Sequence, residues 1–176
     1  TNKKRHNINI LYGKDGTGNL YNVENIKNFV NITGKNSMDL VTCDGGFDYS
    51  HNFDKQEQLS YRLIFCEIVC ALALSKKGSH FVLKIFDIFT TLTLKLLFLL
   101  NNYYEEVIIT KPYISRPANS EKYIICKNFK FNTSVNYYTL FHDLLVKIES
   151  SEEFFICNLL KTKIPYFFIC MIEEIS

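Results

Sequence analysis

Tryptophan is absent from the 176 residues, the net charge is only +2, and no two C-x-x-C pairs occur. Each absence excludes something. A near-neutral total with 22% charged residues rules out a polyelectrolyte tail, yet a local basic stripe for nucleic acid remains compatible with it. The six cysteines (Cys43, Cys66, Cys70, Cys126, Cys157, Cys170) lack the paired spacing of a zinc site, so no metal is expected. They read as buried free thiols of a reducing compartment. No uninterrupted apolar run suits a bilayer: the stretch from Phe81 to Leu100 is broken by Lys84, Asp87 and Lys95. Each charge near a membrane centre costs about 2.5–3.5 kcal/mol, so no membrane partner is expected. Neither a signal-peptide pattern nor an initiator Met stands at the start, and the missing Met points to a cut chain.

What is present suffices for one domain with a substantial core. Apolar residues make up 47%, with 15 Phe and 11 Tyr. Residues 1–9 are polar and basic. Gly13, Gly16 and Gly18 then crowd a short segment where positive φ or close approach to a ligand is wanted. Val23, Ile26, Phe29 and Val30 step at helical spacing behind Asn22, a cap candidate. Met38–Cys43 reads as a buried strand stopped by Asp44-Gly45-Gly46. A helix is expected from Asp54 to Ser75, on the spacing of Leu59, Leu63, Cys66, Val69, Cys70 and Ala73, ended by Lys77-Gly78. Further expected elements are a strand His80–Phe86, a helix Thr90–Leu100 and strands Glu106–Thr110 and Glu121–Cys126. This alternation predicts an α/β, Rossmann-like domain with a mainly parallel sheet. The Lys111–Ser120 connection is too short for a helical crossover, so the last strand is expected to run antiparallel to the one before it. Residues 1–130 form the domain in this reading, and 131–176 form a helical extension packed on it, with a helix near Tyr138–Ile148.

Topology brings three polar residues together. Asp44 ends the first strand, Lys84 lies in the second half of the next parallel strand, and Glu121 starts a strand running the other way. All three therefore fall at the sheet edge where ligands bind in open α/β folds. Singly, each has a plain structural use: an Asx-turn, a snorkelling lysine, an exposed strand start. As a set they suit an amine held by acids, able to take the proton of an attacking hydroxyl. The same set suits in-line transfer of a methyl group, where orientation matters as much as the base.

Longer strings surround these residues: Asp39-Leu-Val-Thr-Cys-Asp-Gly-Gly46, Gly78-Ser-His-Phe-Val-Leu-Lys-Ile-Phe86, and Lys111-Pro-Tyr-Ile-Ser-Arg-Pro-Ala-Asn-Ser-Glu121 with its continuation to Cys126. Over roughly Tyr12 to Lys130 the chain resembles the FtsJ-like RNA 2'-O-ribose methyltransferases. Ser115–Glu121, Asp-Gly-Gly and the early glycine segment resemble the mRNA cap-modifying branch more than the ribosomal one. The resemblance implies S-adenosylmethionine as methyl donor and a Lys-Asp-Lys-Glu tetrad whose last three members match Asp44, Lys84 and Glu121, with Lys84 as base. It implies donor contacts at Asn19, Leu20 and Asp44, and RNA contacts at Asn119 and Arg116. Arg116 serves equally well as a structural ion-pair partner. The family pattern has Asp where this chain has Asn19. The family's glycine-rich donor loop and first tetrad lysine match nothing in the chain. They are expected upstream of Thr1, in a larger protein, rather than lost from a decayed copy.

The implied partners are capped mRNA or another RNA, and the capping or transcription machinery, in a nuclear or viral-cytoplasmic setting. The alternatives are a ribosomal or transfer RNA 2'-O-methyltransferase and a non-catalytic RNA-binding scaffold. Lys55, Arg62, Lys111, Arg116 and Lys122 are the basic candidates for the RNA face, against a merely solvated surface.

Overall fold

Short-range signals set most element boundaries. In the computed structural model, which describes residues 8–46, 55–116, 118–132, 137–150 and 160–174, helix α1 (Val23–Thr33) begins at Asn22. The Asn22 side chain accepts the Glu24 N–H at 2.9 Å, the cap expected of it. Strand β1 (Met38–Cys43), helix α2 (Gln56–Leu74), strand β2 (Ser75–Ile85), helix α3 (Thr91–Tyr103), strands β3 (Tyr104–Thr110) and β4 (Lys122–Phe129), and helices α4 (Tyr137–Ser150) and α5 (Tyr166–Glu173) follow. Asp54 and Cys157 lie outside the described residues.

Two expectations are corrected. β1 forms where expected but is not buried on both faces: Asp39 and Leu40 are exposed, because among the described elements α2 is the helix packed on β1 and it leaves these two side chains uncovered. Nor does Lys77-Gly78 end α2. The helix stops at Leu74 and runs directly into β2. Gly78, at φ +81°, sits where the pairing jumps from Met38–Ser75 to Leu40–His80. That glycine serves a strand irregularity, which leaves the same sequence mark as a helix stop.

The sheet order is β1-β2-β4-β3. β1 and β2 are parallel, and β4 lies antiparallel between β2 and β3, so three strands run one way and one against them. The short link after β3 dictates this reversal, as expected. β4 is a central strand, with Ile124, Cys126 and Phe129 buried.

α2 packs on β1 and β2 and is in turn covered by α1, α3 and α4. That double coverage explains why α2 buries Ile64, Phe65, Cys66, Ile68, Val69 and Leu72 around almost its whole circumference. Phe65 meets Phe141 of α4 edge-on at 5.8 Å, and Phe98 of α3 meets Phe168 of α5 at 5.2 Å. Arg62 does not serve as a free basic residue. Its guanidinium donates to the Ile148 carbonyl near the end of α4 and stacks 4.1 Å over the Tyr21 ring. No described helix is long and apolar enough to cross a membrane.

Candidate active site

The site is assembled by register. Cys43 of β1 pairs with Leu83 of β2, so the next residues along each chain, Asp44 and Lys84, emerge side by side at the carboxyl ends of two parallel strands. Lys84 Nζ lies 2.8 Å from Asp44 Oδ1 and 3.1 Å from the Asp44 carbonyl oxygen. The lysine side chain is only 15% exposed and the aspartate 71%, so a nearly sheltered amine is held by a carboxylate that faces solvent.

On its other side Lys84 pairs with Tyr123 of the antiparallel strand β4. The Tyr123 hydroxyl donates to Glu121 Oε1 at 3.0 Å. Burial, that bond to Glu121, and the charges of Asp44 and Glu121 push the phenol up to about 12. Among the described residues Glu121 accepts from Tyr123, the β4 neighbour of Lys84, and not from Lys84 itself. The amine is gripped by one acid, and the second acid stands two residues before Tyr123, the β4 partner of Lys84.

Gly45 is glycine for want of space. A Cβ there would stand 2.5 Å from Glu67 Oε1 and 2.9 Å from Leu63 Cδ2. At Gly46 it would stand 3.5 Å from Lys84 Nζ. Glu67 is the residue that sequence reasoning missed. It comes from α2, is only 4% exposed, and its Oε1 accepts the Gly45 N–H at 3.0 Å. Burial raises its carboxyl to about 7, opposed by the Gly45 hydrogen bond and the Lys84 charge and reinforced by Asp44. The signal was a lone acid amid the apolar run from Ile64 to Leu74.

The loop between β3 and β4 is a clip. Lys111 Nζ donates to the Asn119 carbonyl at 2.6 Å, to Asn119 Oδ1 at 2.8 Å and to the Glu121 carbonyl at 3.1 Å. Ser120 Oγ reaches Gln56 of α2 at 2.9 Å. Lys122 pairs with Asp87 at 3.0 Å, and Glu57 accepts from the Phe89 and Thr90 N–H groups, at 3.1 and 2.8 Å, fixing the turn after β2. Lys111 and Lys122 are thus engaged within the fold, whereas Lys55 and Arg116 are exposed. Tyr113, Ile114 and Phe89 are exposed on the same two loops.

The segment before α1 is held by its own hydrogen bonds. Gly13, Gly16 and Gly18 all have positive φ. Asp15 accepts from Thr17, Asn22 and Asn25, bonds to Thr17 that hold its carboxyl well below the usual range. Asn19 turns its Oδ1 onto the Tyr21 N–H at 2.9 Å, and Leu20 is half-buried against the core. No hydrogen bond or ion pair among the described residues joins Asn19 to Asp44, Lys84 or Glu121. The described residues also hold no cluster of His, Cys, Asp or Glu suited to a metal ion.

A family model described as FtsJ-like methyltransferase matches residues 2–129. The chain belongs to the FtsJ-like methyltransferase family. Among curated relatives, "Cap-specific mRNA (nucleoside-2'-O-)-methyltransferase 1" of Dictyostelium discoideum is 38% identical over 78% of this chain and 19% of its own length. The proteins of that name from Mus musculus and Trypanosoma brucei brucei are each 41% identical over 67% of this chain, and over 15% and 32% of their own lengths. The chain thus spans a third or less of the relatives it matches.

FtsJ-like methyltransferases generally use S-adenosylmethionine. In this FtsJ-like chain the exposed Asp44 carboxylate at the strand end fits the cationic sulfonium and amine of such a donor.

Proposed function

We propose that the protein is an mRNA cap-specific ribose 2'-O-methyltransferase, with Lys84 as the base that takes the 2'-hydroxyl proton. The observation that carries this reading is the Lys84–Asp44 pair, 2.8 Å apart at the carboxyl ends of two parallel strands. The identity to cap-specific relatives, 38–41% over 67–78% of this chain, supports the choice of substrate.

S-adenosylmethionine, when bound, supplies an electrophilic methyl carbon on a sulfonium. Every other contribution comes from this chain. Asp44 orients the Lys84 amine and presents a negative charge to the cationic donor. Lys84, once its ammonium has released a proton to solvent, would take the 2'-hydroxyl proton, leaving the ribose oxygen as the nucleophile for the methyl carbon that the donor would supply. Glu121, fixed by Tyr123, holds the opposite wall of the rim. Asn119 and Arg116 lie on the clipped loop beside it, where a basic side chain meets a phosphate of the RNA. The exposed aromatic faces of Phe89 and Tyr113 flank the same rim and suit base stacking.

The test is methyl transfer by the full-length protein to capped and uncapped RNA of the same sequence. Capped RNA is the expected substrate. Lys84→Ala is expected to lower kcat roughly 10²–10⁴-fold, the usual span for losing a general base. Unchanged turnover in Lys84→Ala would remove the catalytic assignment, and equal rates on uncapped RNA would remove the cap specificity.

A further inference from the structure

We propose that Glu67 is a positioning residue of this site, pinning the Asp44-Gly45-Gly46 turn from beneath so that Asp44 can hold Lys84. The inference rests on the methyl-transfer reading above and adds a residue from a different element, the middle of α2, that contributes nothing to the rim's surface.

Three features of the geometry carry it. First, Glu67 Oε1 accepts the Gly45 N–H at 3.0 Å, and Gly45 directly follows the residue whose Oδ1 and backbone carbonyl both bind Lys84. A shift of that peptide moves both contacts at once. Second, the carboxylate is 4% exposed, and the Gly45 N–H is the hydrogen-bond donor found for it. A buried acid in the apolar half of a helix, Leu63 to Leu74, is costly unless it satisfies a specific partner. Third, the fit is close: no side chain larger than hydrogen can stand at position 45 without displacing Glu67 or Leu63. Helix, turn and amine form a stack in which α2 sets the height of the Asp44 loop.

The charged groups that face Glu67 are Lys84 from β2, which lowers its pKa, and Asp44 from the turn, which raises it. The thiols of Cys43 on β1 and of Cys66 and Cys70 on α2 are near enough to feel its charge, and burial keeps all three thiols protonated. Glu67 is thus the group here that changes charge near neutral pH. Its ionised form gives Gly45 a charge-assisted bond, stronger than the neutral acid's.

The experiment compares Glu67→Ala with Glu67→Gln in the full-length protein, reading kcat, KM for RNA and the kcat–pH profile. Alanine removes the acceptor, and the loosened turn is expected to cost about 10²-fold in kcat, the scale of a 1 Å misplacement, with KM for RNA unmoved. Glutamine keeps a neutral acceptor at the same reach, so it is expected to hold turnover near the level that wild type shows below pH 7, well above the alanine variant, while erasing the inflection near pH 7 from the profile. Wild-type turnover in the alanine variant, a glutamine variant as impaired as the alanine one, or a change confined to KM would each overturn the proposal.

Should Glu67→Ala fail to fold, Gly45→Ala replaces it. Its methyl group pushes Glu67 away from the turn, and the same selective loss of kcat is expected; an active Gly45→Ala enzyme counts against the proposal. If the wild-type protein methylates no RNA, the methyl-transfer reading itself has failed, and a separate readout remains. In ¹⁵N-glycine-labelled protein, the Gly45 amide resonance is expected to move as pH passes through 7 and to stay flat in Glu67→Gln. A wild-type resonance that does not move sinks the Glu67 contact independently of activity.

Discussion

Glu67 also ties stability to pH, and the direction follows from its burial. Its carboxyl titrates near 7 in the folded chain, against an ordinary 4.5. Between those values the folded state keeps a proton that the unfolded chain has already released. The stabilisation is therefore complete below pH 4.5 and is lost as pH rises through 7, with a ceiling of about 3 kcal/mol. Glu67→Gln cannot ionise. Thermal melts at pH 5 and pH 8 are expected to show the variant close to wild type in acid and more stable than wild type in mild alkali. Equal differences at both pH values would mean that burial does not shift the titration of Glu67 between pH 5 and pH 8 and would overturn this assignment. Sequence reasoning missed this residue for a physical reason. It works from apolar periodicity, and α2 from Leu63 to Leu74 is apolar but for Glu67, so that acid looks like the helix's solvent face. Only the helices packed over it turn that position inward.

The elements that carry Asp44, Lys84 and Glu121 were legible because each depends on local chain rules. Met38–Cys43 forms with the expected ends, and the antiparallel β4 follows from the length of the Lys111–Glu121 link. What local rules did not reveal was the work of the lysines. Lys111 has the profile of a phosphate contact, being basic, exposed and beside the rim, yet its three hydrogen bonds all end on its own loop. Salt dependence separates the two roles. A phosphate contact adds about one unit to the slope of log K against log salt, whereas a clip alters affinity at constant slope. Lys111→Met is therefore expected to weaken RNA binding with the slope unchanged. Arg116→Ala, which removes an exposed guanidinium from the same loop, is expected to reduce the slope by about one. Should the Lys111 variant lower the slope as the Arg116 variant does, the clip assignment is wrong.

At the scale of the molecule, the helices after β4 belong to the same core as the sheet. Phe141, Leu145 and Ile148 of α4 are buried in one cluster with Phe65, Ile68 and Leu72 of α2. Tyr137 packs edge-on against Tyr103 and Phe129 at 5.3 and 5.9 Å. The far side of α2, which sets the Asp44 turn through Glu67, is thus braced by α4. A helix packed on only one side can shift along the sheet; a helix packed on both is held. Phe141→Ala deletes the ring that meets Phe65 and is expected to lower stability by about 3–5 kcal/mol, the range for emptying a buried aromatic site. Because the ring contact of Phe141 is with Phe65 in the core, kcat per folded molecule at low temperature is expected to stay near wild type while the melting transition falls. A melting transition at the wild-type temperature would show that α4 unfolds separately from the sheet. In that case the brace on α2 must come from α1 and α3 alone.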